Sequence, residues 1–337
     1  MSFVFEQSTA ESLMAENQSI LIMIPVFNDW KAVELLLISL DEHLYHKNIQ
    51  VDVLMIDDAS SIPVHKDFLC EPLKAIQKVE ILELRRNLGH QRAIAIGLSY
   101  IEANVPCQAV VVMDGDGEDE PRDVIRLIQK CERKGYEKVV FARRSKRSES
   151  LLFKLFYIFY RQLYKLLTGH NIRVGNFSII PYKVLRRLVV VSELWNHYAV
   201  GLLKARVPYT EISSSRGIRL AGKPKMNFVS LITHGLSAIS VYGDVVGVRL
   251  LVATATLIVF AFTAITLVLG VRFATNLAIP GWTSYIVLLL FIVLMQAVML
   301  SLFFSFIVLN GRDNLGFLPK RDYHYFIMGI QRVFPKL

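Results

Sequence analysis

Two long stretches without a single charge decide most of what this chain can fold into. Leu250 to Val271 and Ile286 to Leu309 contain no Asp, Glu, Lys or Arg. A run of roughly 20 apolar residues is what a helix needs to cross the hydrocarbon core of a bilayer. Both stretches are too long and too evenly apolar for amphipathic surface helices, and a soluble protein rarely buries two such helices. The sequence therefore predicts transmembrane helices over 247–271 and 284–310. Apolar residues make up 53% of the chain and are concentrated after Val245, whereas the part before about residue 220 reads as an ordinary charged globular domain.

The loop between the stretches, Arg272 to Tyr285, is broken by Pro280 and Gly281 and holds one basic residue. Arg216, Arg219, Lys223, Lys225 and Arg249 flank one outer end, and Arg312, Lys320 and Arg321 the other. The excess of Lys and Arg at the outer ends predicts a hairpin with both ends in the cytosol, in a plasma (inner) membrane. The expected organisation is a lead-in over 1–18, a cytosolic domain over 19–222, an interfacial helix over 223–245, the two spans, and a cytosolic tail over 311–337. His234 reads as an interfacial polar residue rather than a ligand. The run Phe153, Phe156, Tyr157, Phe159 and Tyr160, with Lys154, Arg161 and Lys165, fits a buried core helix and a helix lying on lipid head groups equally well. Residues 1–18 lack the apolar core of a signal peptide.

The net charge of +9, much of it between Arg143 and Arg219, suits nucleic acid, anionic lipid or phosphorylated substrates alike. No nucleic-acid recognition motif accompanies it, which argues against that partner. Cys70, Cys107 and Cys131 have neither metal nor disulfide spacing and fit a reducing compartment.

Within the cytosolic part, short β-branched runs alternate with helical spacing. Ile20–Val26, Val51–Ile56, Val79–Leu84 and Ala109–Met113 read as buried strands, with Lys138–Phe141 as a fifth, and Lys31–His43, Gly89–Ile101 and Arg122–Lys134 as helices. Such alternation predicts an α/β fold with a mainly parallel sheet, whose ligands bind beyond the carboxyl ends of the strands. The motifs sit at those ends. Pro25-Val26-Phe27-Asn28-Asp29 ends the first strand, and Asp57-Asp58-Ala59-Ser60 the second. A carboxylate there can accept hydrogen bonds from a base or a ribose, although acidic residues at such ends also cap helices. Arg86-Asn87-Leu88-Gly89-His90-Gln91 follows the third strand and opens a helix, offering a cation, amides and a helix N-terminus to an anionic or hydroxylated ligand.

Asp114-Gly115-Asp116 follows the fourth strand. Two carboxylates separated by one small residue can present oxygens to a single hard cation, Mg²⁺ or Mn²⁺, which bridges to phosphate. Glu118, Asp119 and Glu120 extend the acidic run, and Glu118 is a further ligand within reach. The competing reading is a solvated acidic loop that caps the helix at Pro121.

In order and spacing these motifs resemble the family 2 glycosyltransferases of GT-A fold. They are most similar to the polyprenyl-phosphate hexose transferases, the group of dolichol-phosphate mannose synthase and the bactoprenol glucosyltransferases. Arg143 after the fifth strand, Phe159-Tyr160-Arg161, and Arg216 with Gly222-Lys223-Pro224-Lys225-Met226 extend the likeness, which covers most of the chain. The resemblance implies an inverting transfer of a hexose from a UDP- or GDP-linked sugar to a polyprenyl phosphate, undecaprenyl or dolichyl. Asp114, Asp116 and Glu118 would hold the metal. Pro25, Phe27, Asp29, Asp57, Asp58, Arg86, Asn87, Gln91 and Asp114 would form the nucleotide-sugar site, with Arg216 and Lys225 on a loop closing over the diphosphate. Arg143, Lys154 and Arg161 would grip the acceptor phosphate and act with Asp116 in catalysis. A homo-oligomer is compatible with all of this. Ala59 stands where the family has Gly, and Glu118 where it often has Gln. Asn176-Phe177-Ser178-Ile179-Ile180 resembles only loosely the family's acceptor-site strand, and Ser192 to Tyr198 is rich in the polar and aromatic groups that can contact a sugar, with no role assigned to it.

Two other functions compete. A transferase to a sugar hydroxyl remains open in its nonprocessive form; a processive synthase carries Gln-x-x-Arg-Trp, which none of Trp30, Trp195 and Trp282 matches. A membrane-tethered nucleotide-sugar binder without activity has no need of the Asp114 and Asp116 pair.

Overall fold

The computed structural model describes residues 19–144, 151–171, 174–222, 228–275, 281–313 and 316–335, and within them the side chains except at 151–157, 228–231 and 308–313. The expected lead-in over 1–18 and Lys225 lie outside the described residues, as does the side chain of Lys154. The chain divides into two units: residues 1–157, 172–241 and 316–337 form one, and residues 158–171 and 242–315 the other.

The first unit is built on the alternation of the strands. In β1 (Ile20–Val26), Ile20, Ile22, Ile24 and Val26 join one apolar core while Leu21 and Met23 join another on the opposite face. Successive strand side chains point to opposite faces, so a strand that is apolar at every position must be covered on both. Helices α1 (Trp30–Tyr45) and α3 (Pro121–Arg133) supply the first cover, through Leu36, Leu37, Leu40, Leu127 and Ile128 among others. Helices α2 (His90–Asn104) and α5 (Tyr182–Leu188) supply the second, through Ile94, Leu98, Ile101, Leu185 and Leu188.

The sheet has eight strands, in the order β7-β5-β6-β4-β1-β2-β3-β8. Its centre is parallel: β1 pairs with β2 (Val51–Asp57) and with β4 (Ala109–Val112), and β2 with β3 (Ile76–Leu84). On one side β6 (Ser178–Pro181) runs antiparallel to β4 and to β5 (Val139–Arg144), and β7 (Tyr209–Ser214) closes that edge parallel to β5. The expected α/β architecture with a mainly parallel sheet is present, and all five expected strands occur within a few residues of their expected bounds.

The other edge departs from expectation. The tail, read without an element of its own, contains β8 (Ile327–Phe334), which pairs antiparallel with β3, Val79 against Phe334 and Leu84 against Ile327. Arg85 fastens it by donating from its backbone N–H to Phe326 O and from Nε to Ile327 O, both at 2.9 Å. Trp195 packs against Phe317 and Phe326, and the Arg92 guanidinium lies 4.9 Å from its ring centroid. Tyr198 is buried, its hydroxyl 2.6 Å from that of Ser178. Trp195 and Tyr198, unassigned in the sequence, thus serve the core and the anchoring of the C-terminal segment.

In the second unit α8 (Gly243–Ala274) and α9 (Trp282–Asp313) pack on each other. Gly243–Ala274 and Trp282–Ile307 have mean hydropathies of 2.4 and 2.8 over their most apolar windows, and are long and apolar enough to cross a membrane. Phe260, Phe262, Phe303 and Phe306 are each more than half exposed. A core helix of a soluble protein buries such residues, so these exposed apolar faces match the membrane reading. Helix α4 (Leu151–Thr168) leads into this unit. Ile158, Phe159 and Leu166 are exposed on it and Tyr164 is buried, which fits a helix against lipid better than a core helix. Of the segment 223–245, expected as an interfacial helix, residues 223–227 lie outside the described residues and Phe228–Ser240 forms helix α7.

Candidate active site

The carboxyl ends of β1, β2 and β4 meet in one place, and the proline of the first motif has a positional reason. Pro25 lies beyond the last β1–β4 register pair, Met23 with Val112, so β1 loses an N–H where it parts from its neighbour. Asn28 follows in the left-handed region, φ 53, and ties two loops together. It donates from its backbone N–H to Ser60 Oγ at 2.9 Å and accepts from the Ile62 N–H on Oδ1 at 2.9 Å. Asp57 accepts the Ser60 N–H at 2.9 Å. Ala59 is also left-handed, φ 55, which explains why glycine is the usual residue there.

The paired carboxylates Asp57 and Asp58 part company. Asp58 is buried and gives both oxygens to backbone donors, the Leu88 N–H at 2.7 Å and the Gly89 N–H at 2.8 Å. It fixes the loop that opens α2 instead of lining an open nucleotide site. Burial raises its pKa, against the pull of those two N–H groups. Phe27, Arg86 and Asn87 are exposed near these loops, and Pro25 is buried in β1. Gln91 is turned inward: its Oε1 accepts the Tyr198 N–H at 2.6 Å, and its amide donates to Asn176 Oδ1 at 3.3 Å.

The acidic turn after β4 is held against the core by Gly115. A Cβ there would lie 2.8 Å from Val33 Cγ2 and 3.1 Å from Ile24 Cγ2, so only glycine lets the turn sit this deep. The flanking carboxylates have different surroundings. Asp114 Oδ1 is buried and makes no hydrogen bond of good geometry, although the Nε2 of His90 lies 3.1 Å away. Burial pushes Asp114 up, but the charge of His90 and contact with it win, and its pKa falls below the usual range. The same pairing raises His90 against the downward effect of burial. Asp116 goes the other way, raised by burial and by the charges of Asp114 and Glu118, despite the Glu118 N–H it accepts at 3.0 Å.

Behind the turn, Asp119 is buried and accepts the Asp114 N–H at 3.0 Å. Burial first, and the Asp114 charge second, raise its pKa to about 7, while Arg144 at 3.1 Å works in the opposite direction. Arg144 also stands 3.6 Å from Glu118. Arg143, the expected phosphate residue, instead pairs with Glu211 of β7 at 3.1 Å. Neighbours on a strand point to opposite sides, so only one of these two arginines can face the turn, and Arg144 does. Arg161 is exposed on α4.

Two more arginines come from the loop after β7. Arg216 grips Glu118 with a two-pronged pair, Nε to Oε2 at 2.9 Å and Nη2 to Oε1 at 2.8 Å. Arg219 joins two motifs: Nη1 donates to Asp116 Oδ2 and Nη2 to Asp29 Oδ2, each at 3.0 Å. Glu118, expected as a metal ligand, is therefore engaged by arginine. Among the described residues no group of three or more His, Cys, Asp or Glu is gathered in a ligand cluster. Asp114, its buried Oδ1 faced by His90 Nε2 at 3.1 Å, nonetheless stands beside Asp116 at the strand end, and hard divalent ions take such carboxylate donors. Asp114 and Asp116 fit a two-carboxylate platform for Mg²⁺ or Mn²⁺.

His234, read as interfacial, has its ring centroid 4.6 Å from that of His197, and burial lowers its pKa. Neither this contact nor the partners of Arg144 and Arg219 had a signal in local spacing.

The family described as Glycosyl transferase family 2 matches residues 21–191. An uncharacterised glycosyltransferase of Bacillus subtilis (strain 168), YkcC, is 28% identical over 79% of this chain and 81% of that protein. An undecaprenyl-phosphate 4-deoxy-4-formamido-L-arabinose transferase of Klebsiella pneumoniae (strain 342) is 26% identical over 81% of each chain. Among solved structures, glucosyl-3-phosphoglycerate synthase from Mycobacterium tuberculosis in complex with Mn²⁺, UDP-glucose and phosphoglyceric acid aligns with a TM-score of 0.48 at 13% identity, covering 71% of this chain and 82% of that one.

Proposed function

The chain belongs to glycosyl transferase family 2, and from that footing we propose that it is an inverting, membrane-anchored hexosyltransferase that moves a sugar from a UDP- or GDP-linked donor to a polyprenyl phosphate at the cytosolic face. The observation that carries this reading is the acidic turn, with Asp114, held by His90, beside Asp116 just beyond β4. Asp114 and Asp116 would hold the divalent ion. When bound, that ion neutralises charge on the departing nucleotide diphosphate.

The remaining chemistry belongs to the side chains. His90 keeps Asp114 ionised and oriented. Asp57 and the Asn28–Ser60 link shape the nucleotide end, and Asp29 is a further acceptor there for a ribose or base. Asp58 works one step back, setting the loop that carries Asn87, His90 and Gln91. Arg144 balances Asp119 and Glu118, so that the turn does not repel the incoming diphosphate. An acceptor phosphate is ionised near neutral pH and attacks the anomeric carbon without a strong general base, whereas a sugar hydroxyl would need one. No such base has to be found for phosphate attack. Following the resemblance, Lys154 takes the acceptor phosphate, a task suited to an ammonium donor, whereas Arg143 is held by Glu211 of β7.

The lipid acceptor draws support from α8 and α9, and from the Klebsiella relative, whose name gives undecaprenyl phosphate as its carrier. The chain leaves the first unit before α8 and returns to pair β8 with β3. Two crossings bring a chain back to the side it left, which supports a hairpin with both ends on one face. The test uses purified protein in liposomes with Mg²⁺ or Mn²⁺, undecaprenyl phosphate and a panel of UDP- and GDP-sugars. One glycolipid is expected, lost in Asp116→Asn without loss of folding. Sugar transfer to soluble hydroxyl acceptors with no glycolipid formed would refute the reading.

A further inference from the structure

The loop over residues 215–222 is fastened to the acidic turn along its whole length. The Gly217 N–H donates to Glu118 O and the Leu220 N–H to Asp116 O, both at 2.9 Å. Gly117 has φ +88, and a Cβ on it would lie 2.5 Å from Leu220 Cγ, so the leucine side chain sits directly on the turn. Arg219 is the centre of this fastening. Its Nε donates to Ala221 O at 3.0 Å, and its side chain is only 15% exposed while it serves both Asp29 and Asp116. Both oxygens of Asp116 are engaged, Oδ1 by the Glu118 N–H and Oδ2 by Arg219.

We infer that Arg219 is an internal counter-cation that competes with the divalent ion for Asp116, and that residues 215–222 form a latch which the donor releases by exchanging partners with it. This rests on the metal–diphosphate reading of the acidic turn. A dication and a guanidinium that share one carboxylate repel each other, so an ion bound at Asp116 loosens Arg219. The freed guanidinium meets phosphate oxygens of the same donor, whose spacing its fork matches. Asp116 exchanges the guanidinium for the ion, Arg219 exchanges its carboxylates for phosphate oxygens, and Asp29 turns to the ribose or base of the donor, while the charges of ion and diphosphate offset each other. The latch then favours the ion and the nucleotide together over either alone, which keeps the ion from occupying the site unproductively.

The test measures Mn²⁺ binding to the full-length protein in detergent, with Mn²⁺ alone and with UDP or GDP, alongside hydrogen exchange at the Gly217 and Leu220 amides. Arg219→Gln is expected to bind Mn²⁺ alone about tenfold more tightly than the native protein, in the direction that removal of a competing positive charge gives, and Arg219→Lys to stay near native. Leu220→Ala leaves the charges in place and is expected to speed exchange at both amides, with a smaller gain in Mn²⁺ affinity. In the native protein, Mn²⁺ with nucleotide is expected to speed exchange at both amides. Equal or weaker Mn²⁺ binding by folded Arg219→Gln overturns the latch, as does unchanged exchange on saturation. Failure of native and variant protein alike to bind Mn²⁺ with nucleotide present overturns the metal reading itself, so the two failures are told apart.

Discussion

Replacing Asp58 by Asn separates a structural carboxylate from a substrate-binding one. Asp58 is 4% exposed and its two oxygens take the Leu88 and Gly89 amides at 2.7 and 2.8 Å. Hydrogen bonds to a charged group contribute about 1.5–3 kcal/mol each. The Asn variant keeps one carbonyl for one amide and turns its NH₂ on the other, so a donor faces a donor. Removing the charge also recovers part of the burial penalty that raises the Asp58 pKa. The net cost is therefore placed in the lower part of the range, about 2 kcal/mol for Asn, with about 3–5 kcal/mol for Ala, which leaves both amides bare. For a domain of this size 2 kcal/mol lowers the thermal midpoint by about 4–8 °C. The assay is thermal unfolding of the purified protein with hydrogen exchange at Leu88 and Gly89. Midpoints ordered native, Asn, Ala, with faster exchange at both amides, are expected. An Asn variant that keeps its midpoint and its protection but no longer binds UDP or GDP would refute the argument and return Asp58 to the nucleotide pocket.

Three other predictions follow from packing, backbone and charge. Gly115→Ala drives a methyl to 2.8 Å from Val33 Cγ2, and is expected to cost about 1–3 kcal/mol in chemical denaturation. No change in the midpoint would show that the turn has room to move. Ala59→Gly relieves a residue held at φ 55, and a neutral or positive stability change of up to about 1 kcal/mol is expected after the entropy cost of glycine; clear destabilisation would contradict the strain. His197 is buried neutral, its pKa lowered to about 3 by burial first and then by the charges of His234 and His90. The unfolded chain takes up a proton near the ordinary histidine value of 6.5 and the native state only near 3, so this residue removes stability as pH falls across that window, by up to about 1.4 kcal/mol per pH unit. Denaturation midpoints from pH 7 to pH 4.5 should fall less steeply in His197→Gln, and parallel curves would rule the residue out as a source of acid sensitivity.

Much of the first unit was legible because it follows short-range rules. Ile20 to Val26 is apolar at every position, and only a strand covered on both faces explains that. The acidic turn was legible because a strand, a glycine and two carboxylates are consecutive. Partners far apart in sequence were not. Glu118 suits a metal as well as an arginine, and its pairing with Arg216 is decided by where the loop after β7 returns. Arg143 and Arg144 are adjacent, and which of them faces the turn depends on the phase of β5, fixed by its pairing with β7. The expectation that Asp57 and Asp58 would act alike failed for the same reason, since adjacent residues at a strand end face different neighbours. Ile327–Phe334 resembles an unstructured tail because its partner is β3, on the far side of both apolar helices in the chain.

The most direct measurement compares two acceptors that differ only in the phosphate. Purified protein is given the same nucleotide-sugar panel and Mg²⁺ or Mn²⁺ with either undecaprenyl phosphate or undecaprenol, and the products are weighed by mass spectrometry. The account predicts a hexosyl phosphodiester from the phosphate and nothing from the alcohol. A glycoside formed on the alcohol, or equal product from both, would contradict it.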